Sequence, residues 1–362
     1  MSYDFVHQGL GGRVIFAPGA RARLATETDR LGLRRLLVVC TPGNAELAAD
    51  VARPLGAALV DVYAHATMHV PARVAADAVS RAEALHADGC IAIGGGSAIG
   101  LGKAVAKDTG IPLIAVPTTY AGSEMTPIWG ITDGGRKRTG RDVTVLPATV
   151  IYDPELTLSL PTSRSVTSAI NALAHAAESM YAPDRSPITD LIAAESARAI
   201  VAALPLVATA PRDVPARTEL LYGAWLAGMA LGATTMSLHH QLCHVLGGTF
   251  NLPHAETHAA VLPHVLRLNL AAAPDAEKQL RSAFGADDPA AHLFHLTQDL
   301  GAQMSLAALG MPPDGVATVI DQATSAPYAN PTPVTAAALQ ILLADATAGS
   351  PPRPIRQHSH LN

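Results

Sequence analysis

The residues best equipped for chemistry stand in two short clusters: Asn171-Ala-Leu-Ala-His175, and His240-Gln-Leu-Cys-His244 followed by Leu252-Pro253-His254. On a helix, positions i and i+4 share one face, so Asn171 with His175, and His240 with His244, each project a pair of side chains into one cavity. Helical metalloenzymes present their ligands in this way. The first position, however, is Asn171, whose neutral amide is a poor ligand for a divalent cation beside a carboxylate. Neutral imidazoles do not compensate the missing charge. The pattern is that of a metal cavity without its anionic ligand.

A second signal, Gly94-Gly95-Gly96-Ser97, directly follows the apolar run Cys90–Ile93 and precedes a helical stretch ending near Lys107. Three glycines let backbone N–H groups approach an anion closely, and a helix N-terminus favours negative charge, so a pyrophosphate fits. The spacing is neither Gly-x-Gly-x-x-Gly nor the nucleoside-triphosphate loop pattern, and a tight strand-to-helix turn is the competing explanation. A further loop, Pro117-Thr118-Thr119-Tyr120-Ala-Gly-Ser-Glu124, leaves the next strand at the corresponding carboxyl end. Open α/β sheets bind ligands there, and two polar glycine loops at one sheet edge favour a nucleotide.

The elements that must hold these residues change character near residue 155. Before it, β-branched runs alternate with helical stretches: Arg13–Phe16, Leu36–Cys40, Ala58–Val62, Cys90–Ile93, Leu113–Val116 and Ala148–Tyr152. Such alternation predicts parallel strands with crossover helices. After Pro154 the Ala/Leu-rich segments Ser165–Met180, Ile188–Ala203, Pro215–Met236, Ala290–Leu309 and Val334–Ala346 read as helices. The expected organisation is an α/β dinucleotide-binding domain over 1–157, an all-helical catalytic domain over 158–348 and a flexible tail over 349–362. Leu220–Met236 is apolar but short for a membrane span, and reads as a buried core helix.

Composition sets the class. With 362 residues, 49% hydrophobic, 15% charged and a net charge of −5, the chain can bury a large core and has no basic stripe for nucleic acid or a membrane surface. Arg136-Lys137-Arg138 is long enough only to meet a small anion. The three cysteines, Cys40, Cys90 and Cys243, lack paired or metal-finger spacing and read as reduced buried thiols. MSYDFVHQGL has neither a positive n-region nor an apolar h-region, so a cytoplasmic protein is expected.

Together these motifs resemble the iron-containing alcohol dehydrogenase superfamily, with its Rossmann-like N-terminal domain and all-α C-terminal domain, the dehydroquinate synthase-like fold. Met68-His-Val-Pro71, Gly94 to Lys103, Thr118 to Gly130 and Asn251-Leu-Pro-His-Ala-Glu-Thr-His258 are similar to its maleylacetate reductase branch. In metal-dependent relatives a carboxylate and three histidines hold the cation at places matching Asn171, His175, His240 and His254, whereas His244 matches a residue near the nicotinamide. Asn171 departs from that set, and Gly100 replaces an acidic residue common in the superfamily.

The resemblance implies reduction of a conjugated C=C bond in a small dicarboxylate, maleylacetate, by NADH or NADPH, with no metal expected and a homodimer as the assembly. Gly94, Gly95, Gly96, Ser97, Thr118, Thr119 and Thr41 are the expected coenzyme residues. Cys40-Thr41-Pro-Gly-Asn44 lacks the acid that grips a ribose diol, so both coenzymes are expected to be accepted. Catalysis falls to His175, His240, His244 and His254 as protonated or hydrogen-bonding groups with Asn171 orienting a ring, the proton donor being His244, His254 or water. Tyr120, Thr126, Trp129 and His258 are the expected substrate residues, with Lys137 and Arg141 as further candidates. Two competing readings are a metal-dependent alcohol or diol dehydrogenase using Asn171, His175, His240 and His254 as ligands, and an inert nucleotide-binding protein.

Overall fold

A computed structural model describes Gly9 and residues 11–134 and 136–354, without the side chains of Arg136 and Lys137. The β-branched runs form β1 (Arg13–Phe16), β2 (Leu36–Val39), β3 (Leu59–Tyr63), β4 (Gly89–Gly94) and β5 (Leu113–Pro117). After β6 (Ile128–Asp133) and β7 (Arg136–Arg141) comes β8 (Thr149–Tyr152). Six of these pair in parallel in the order β1-β8-β5-β4-β2-β3. The helices α1 (Leu24–Arg30), α2 (Ala45–Ala52), α3 (Ala72–Ala84) and α4 (Gly96–Thr109) cross between them.

Both faces of a parallel sheet are covered, so alternate residues of each strand feed opposite cores. Leu36, Val38, Ile91, Ile93, Ile114 and Val116 pack towards Leu24, Ala48 and Val51. Leu37, Val39, Ala92 and Ala115 pack towards Ala75, Ile99 and Leu101, in a core that continues into the helices beyond the sheet. The antiparallel hairpin β6–β7 was not among the expected strands.

Among the described residues, nine α-helices follow β8: α5 (Thr162–Ser179), α6 (Pro187–Thr209), α7 (Val214–Ala233), α8 (Leu238–Phe250), α9 (His254–Asn269), α10 (Pro274–Phe284), α11 (Pro289–Asp299), α12 (Gly315–Ala323) and α13 (Ala336–Ala348). Several expected boundaries shift. The Ala290–Leu309 helix ends at Asp299, where Gly301 turns the chain in the left-handed region at φ 82°. The Pro215–Met236 helix stops at Ala233. α6, expected to end at Ala203, runs to Thr209 through Pro205. α6 is long and apolar enough to cross a bilayer by length and composition, yet half of that stretch is buried against the rest of the protein. Of the expected tail, Arg353 is held by Asp345 at 2.6 Å, and residues 355–362 lie outside the described residues.

Candidate active site

The strand order reverses between β2 and β4, since β3 lies on one side of β2 and β4 on the other. A crevice opens beyond the carboxyl ends of the strands at such a point. Thr41, Gly43 and Asn44 after β2, Gly95, Gly96 and Ser97 after β4, and Thr118 and Thr119 after β5 line a cleft of about 430 Å³ there. Leu156, Ser159, Leu160, Pro161 and Arg164 close its other side, and among the described residues Arg164 is the one charged member of this lining. Gly94 has φ 144°, which a side chain rarely adopts. A Cβ on Gly95 would lie 2.8 Å from the Thr119 side chain. No side chain caps α4, so its first amides are left for an anion.

The histidines come together where α5, α8 and α9 pack. α5 presents Asn171 and His175, each 4% exposed, and His175 stacks on His240 of α8 with ring centroids 5.0 Å apart. His258 of α9 is the hub of the cluster, with centroids 4.3 Å from His254, 4.7 Å from His239, 5.1 Å from His240 and 6.4 Å from His175. His244 lies 6.4 Å from His240 on the exposed side of α8, and His254 is half-buried, so these two form the rim above a buried floor.

Glu178 was missed by sequence reasoning. It is fully buried and takes the Nδ1–H of His240 at 2.6 Å, and its two oxygens also accept from the backbone N–H groups of Ser237 (3.0 Å) and His239 (2.8 Å). The carboxylate therefore both caps α8 and fixes the His240 ring, whose Nε2 is left without a partner. A signal existed in the spacing: Asn171, His175 and Glu178 recur at helical period on one face.

The expectation of protonated imidazoles needs revision. Burial, reinforced by neighbouring histidines, holds His175, His239 and His258 well below the usual imidazole pKa, so they are neutral in the free protein.

Three expected substrate residues lie away from this floor or are already engaged. Tyr120 is fully buried, its hydroxyl donating to Thr157 (3.2 Å) and accepting from Arg217 (3.0 Å). Thr126 is 1% exposed and helps enclose the Lys103 ammonium, which donates to its carbonyl (2.8 Å) and hydroxyl (3.0 Å) and to the carbonyls of Ser123 (2.6 Å) and Ile128 (2.8 Å). Trp129 packs against Gly140 beneath the Lys107 ammonium. Arg141 donates to the carbonyl of Gly232, and the Lys137 side chain lies outside the described residues.

Cleft and histidines are joined by a backbone crossing. Gly122, at φ 78°, sits so close to Gly228 of α7 that a Cβ on Gly228 would lie 2.5 Å from the Gly122 carbonyl oxygen. A Cβ on Gly122 would in turn approach His175 Nδ1 to 3.4 Å. The loop that lines the cleft at Thr118 and Thr119 thus runs directly onto the histidine floor.

Comparison with known proteins places this arrangement. Residues 11–154 match the family described as iron-containing alcohol dehydrogenase, and residues 165–347 match the Fe-containing alcohol dehydrogenase family, C-terminal. A maleylacetate reductase of Pseudomonas knackmussii is 52% identical over 349 residues, covering 96% of this chain and 99% of that protein. One from Sphingobium indicum is 49% identical over 349 residues, with 96% and 99% covered. The crystal structure of maleylacetate reductase from Agrobacterium tumefaciens superposes with a TM-score of 0.93 at 47% identity, covering 97% of this chain and 100% of that one. The chain belongs to the maleylacetate reductases of the iron-containing alcohol dehydrogenase family. It is an oxidoreductase.

For an iron-containing alcohol dehydrogenase, the donor set is short of charge. Asn171 Oδ1, His175 Nδ1 and His240 Nε2 are buried without partners, as ligands for a cation would be. All are neutral donors in their uncharged forms, and the oxygens of Glu178 are spent on α8 and His240. A divalent ion there would gain no anionic ligand from these residues, so they fit one incompletely. Gly100, where the resemblance implied an acid in relatives, leaves little room for a side chain. A Cβ there would meet Val70 Cγ2 at 2.7 Å, and Val70 and His69 hold that loop in the left-handed region at φ 46° and 65°.

Proposed function

We propose that the protein reduces the conjugated C=C bond of maleylacetate, and of its chlorinated analogues, to 3-oxoadipate or its chlorinated counterpart during aromatic-compound breakdown. In this reading it uses NADH or NADPH, works without a resident metal, and is a cytoplasmic homodimer. The observation that carries it is the near-full-length likeness to maleylacetate reductases, 52% identical over 349 residues, in a chain whose floor presents hydrogen-bonding groups without a free acid. A dianionic substrate is repelled by a free carboxylate, and the one buried carboxylate beside this floor, Glu178, is already engaged by α8 and His240.

The cleft beyond β2, β4 and β5 is the coenzyme's place, with the α4 amides and Arg164 meeting its phosphates. A reduced nicotinamide supplies the hydride when bound there. Addition at the alkene carbon beta to the ketone leaves negative charge on the ketone oxygen, which then needs hydrogen-bond donors. His240 is the candidate for this need: Glu178 accepts its Nδ1–H at 2.6 Å and fixes the ring, which leaves Nε2 as its unpartnered nitrogen. Asn171 and His175 hold the substrate beside it, and the rim histidines His244 and His254 are placed to return a proton to carbon.

A second reading, a metal-dependent alcohol dehydrogenase, has one observation of its own. A carboxylate behind His240 is also how proteins orient a metal-bound imidazole. The deciding experiment is NADH and NADPH oxidation with maleylacetate before and after chelation, beside elemental analysis. Full turnover with substoichiometric metal supports the metal-free reduction. Stoichiometric iron or zinc whose removal abolishes turnover supports the second reading. Asn171→Asp should raise metal uptake, because it restores the missing charge at that place.

A further inference from the structure

His239 and His258 form a buried pair that the mechanism above does not use. Both are fully buried, and His239 Nε2 lies 2.9 Å from His258 Nδ1. Cys243 Sγ is 3.7 Å from the same His239 nitrogen, and the three donor atoms lie within 4.8 Å of one another. The short imidazole–imidazole hydrogen bond already accounts for this closeness without an ion.

A hydrogen bond between two neutral rings allows two proton arrangements. Either His239 Nε2–H donates and His258 carries its own proton on Nε2, or His258 Nδ1–H donates and His239 carries its proton on Nδ1. Both His258 Nε2 and His239 Nδ1 are buried without a partner, so each arrangement strands one N–H. Their surroundings differ. His258 sits among the rings of His254, His240 and His175, the floor that the dicarboxylate reading gives to the substrate, whereas the ring contacts of His239 are with His258 and its neighbour His240. A stranded N–H is tolerated where a ligand can satisfy it and is costly where none can.

We propose that His239 is a positioning residue: it fixes the tautomer of His258, so that His258 Nε2–H faces the floor as a neutral donor to one carboxylate of the substrate. This rests on the dicarboxylate reading given above. Recognition by a neutral donor suits a floor that already crowds several imidazoles, since it adds no further positive charge.

The test compares His239→Gln, which keeps an N–H near the Nε2 position, with His239→Leu, which does not. His239→Leu should raise the KM for maleylacetate about tenfold, the worth of one buried hydrogen bond, with kcat and coenzyme KM little changed. His239→Gln should recover most of that loss. Equal KM in wild type and His239→Leu overturns the proposal. Independently of any substrate, ¹⁵N–¹H spectra of histidine-labelled protein, with His258→Gln to identify the signal, should show the Nε2–H tautomer at His258 in the wild type and a mixture in His239→Leu. An Nδ1–H tautomer in the wild type overturns the proposal. A wild type that ignores maleylacetate while showing the expected tautomer overturns the substrate reading alone.

Discussion

A carboxylate does reach the histidine cluster, but from behind the floor and not from within it. Glu178 ties together the start of α8 and the ring of His240, so one side chain sets both a helix position and a nitrogen's orientation. Glu178→Gln would replace an acceptor-only group with one that donates from one side, against backbone N–H groups that also donate. Turnover should fall about 10- to 100-fold, the usual cost of losing such an orienting group. Its KM for coenzyme should stay near that of wild type, and steady-state kinetics beside a thermal melt would check both. The clusters Asn171/His175 and His240/His244 were legible because helical spacing alone puts each pair on one face. The hub role of His258 was not, because it depends on how α9 lies across α8, and no local period encodes a crossing between helices. Tyr120 misled for the opposite reason: its loop suggested a ligand contact, but its hydroxyl serves the buried Arg217, which also needs Ser165 and the carbonyls of Leu160 and Pro211 to satisfy its charge.

At the scale of elements, the loop after β5 and helix α7 meet through Gly122 and Gly228 with no side chain between them. Gly228→Ala would drive a methyl group to 2.5 Å from a carbonyl oxygen, a contact that requires the loop or the helix to move. A loss of about 1–3 kcal/mol of stability is expected from such overpacking. Turnover should fall further than the melt implies, since Thr119 and His175 move relative to each other. A near-native melt with unchanged kinetics would show that the crossing has slack. The six parallel strands were readable because buried parallel strands are continuous apolar runs, and each of those runs is bounded by turn residues. The hairpin β6–β7 was overlooked although Asp133-Gly134-Gly135 is a turn signal, because Arg136-Lys137-Arg138 reads as a surface charge run and not as a strand. Helices α9, α10 and α12 lay outside the segments read as helical, since α9 carries three histidines and an internal proline, α10 four charged residues, and α12 is only 9 residues long; of α8 only the pair His240/His244 was read at helical spacing.

Taken whole, the molecule buries imidazoles that it keeps neutral, and this has a cost in acid. His175, His239 and His258 are pushed well below 6.5 by burial, and His264, both of whose nitrogens lack partners, is pushed down to about 4. Between the folded and unfolded pKa values the unfolded chain binds protons that the folded chain cannot, so stability is retained above about pH 6.5 and lost as pH falls below it. The slope is at most about 1.4 kcal/mol per pH unit for each such histidine. His264 is the clean case, since its ring packs on Phe294 and makes no ring contact with the histidine cluster. His264→Leu should flatten the dependence of the melting temperature on pH between 6.5 and 5 without altering turnover at neutral pH. An unchanged slope would mean that His264 takes up its proton while folded.

Lys103 gives the molecule a different property. Its ammonium is enclosed by the carbonyls of Ser123, Thr126 and Ile128, and the side chain is 1% exposed. Lys278, by contrast, stands in the open on α10. An amine-acylating reagent reaches Lys278 at once and Lys103 only when residues 123–128 lift away from α4. The ratio of the two labelling rates is therefore a clock, built into the chain, that counts openings of the segment leading from the loop after β5 to the hairpin.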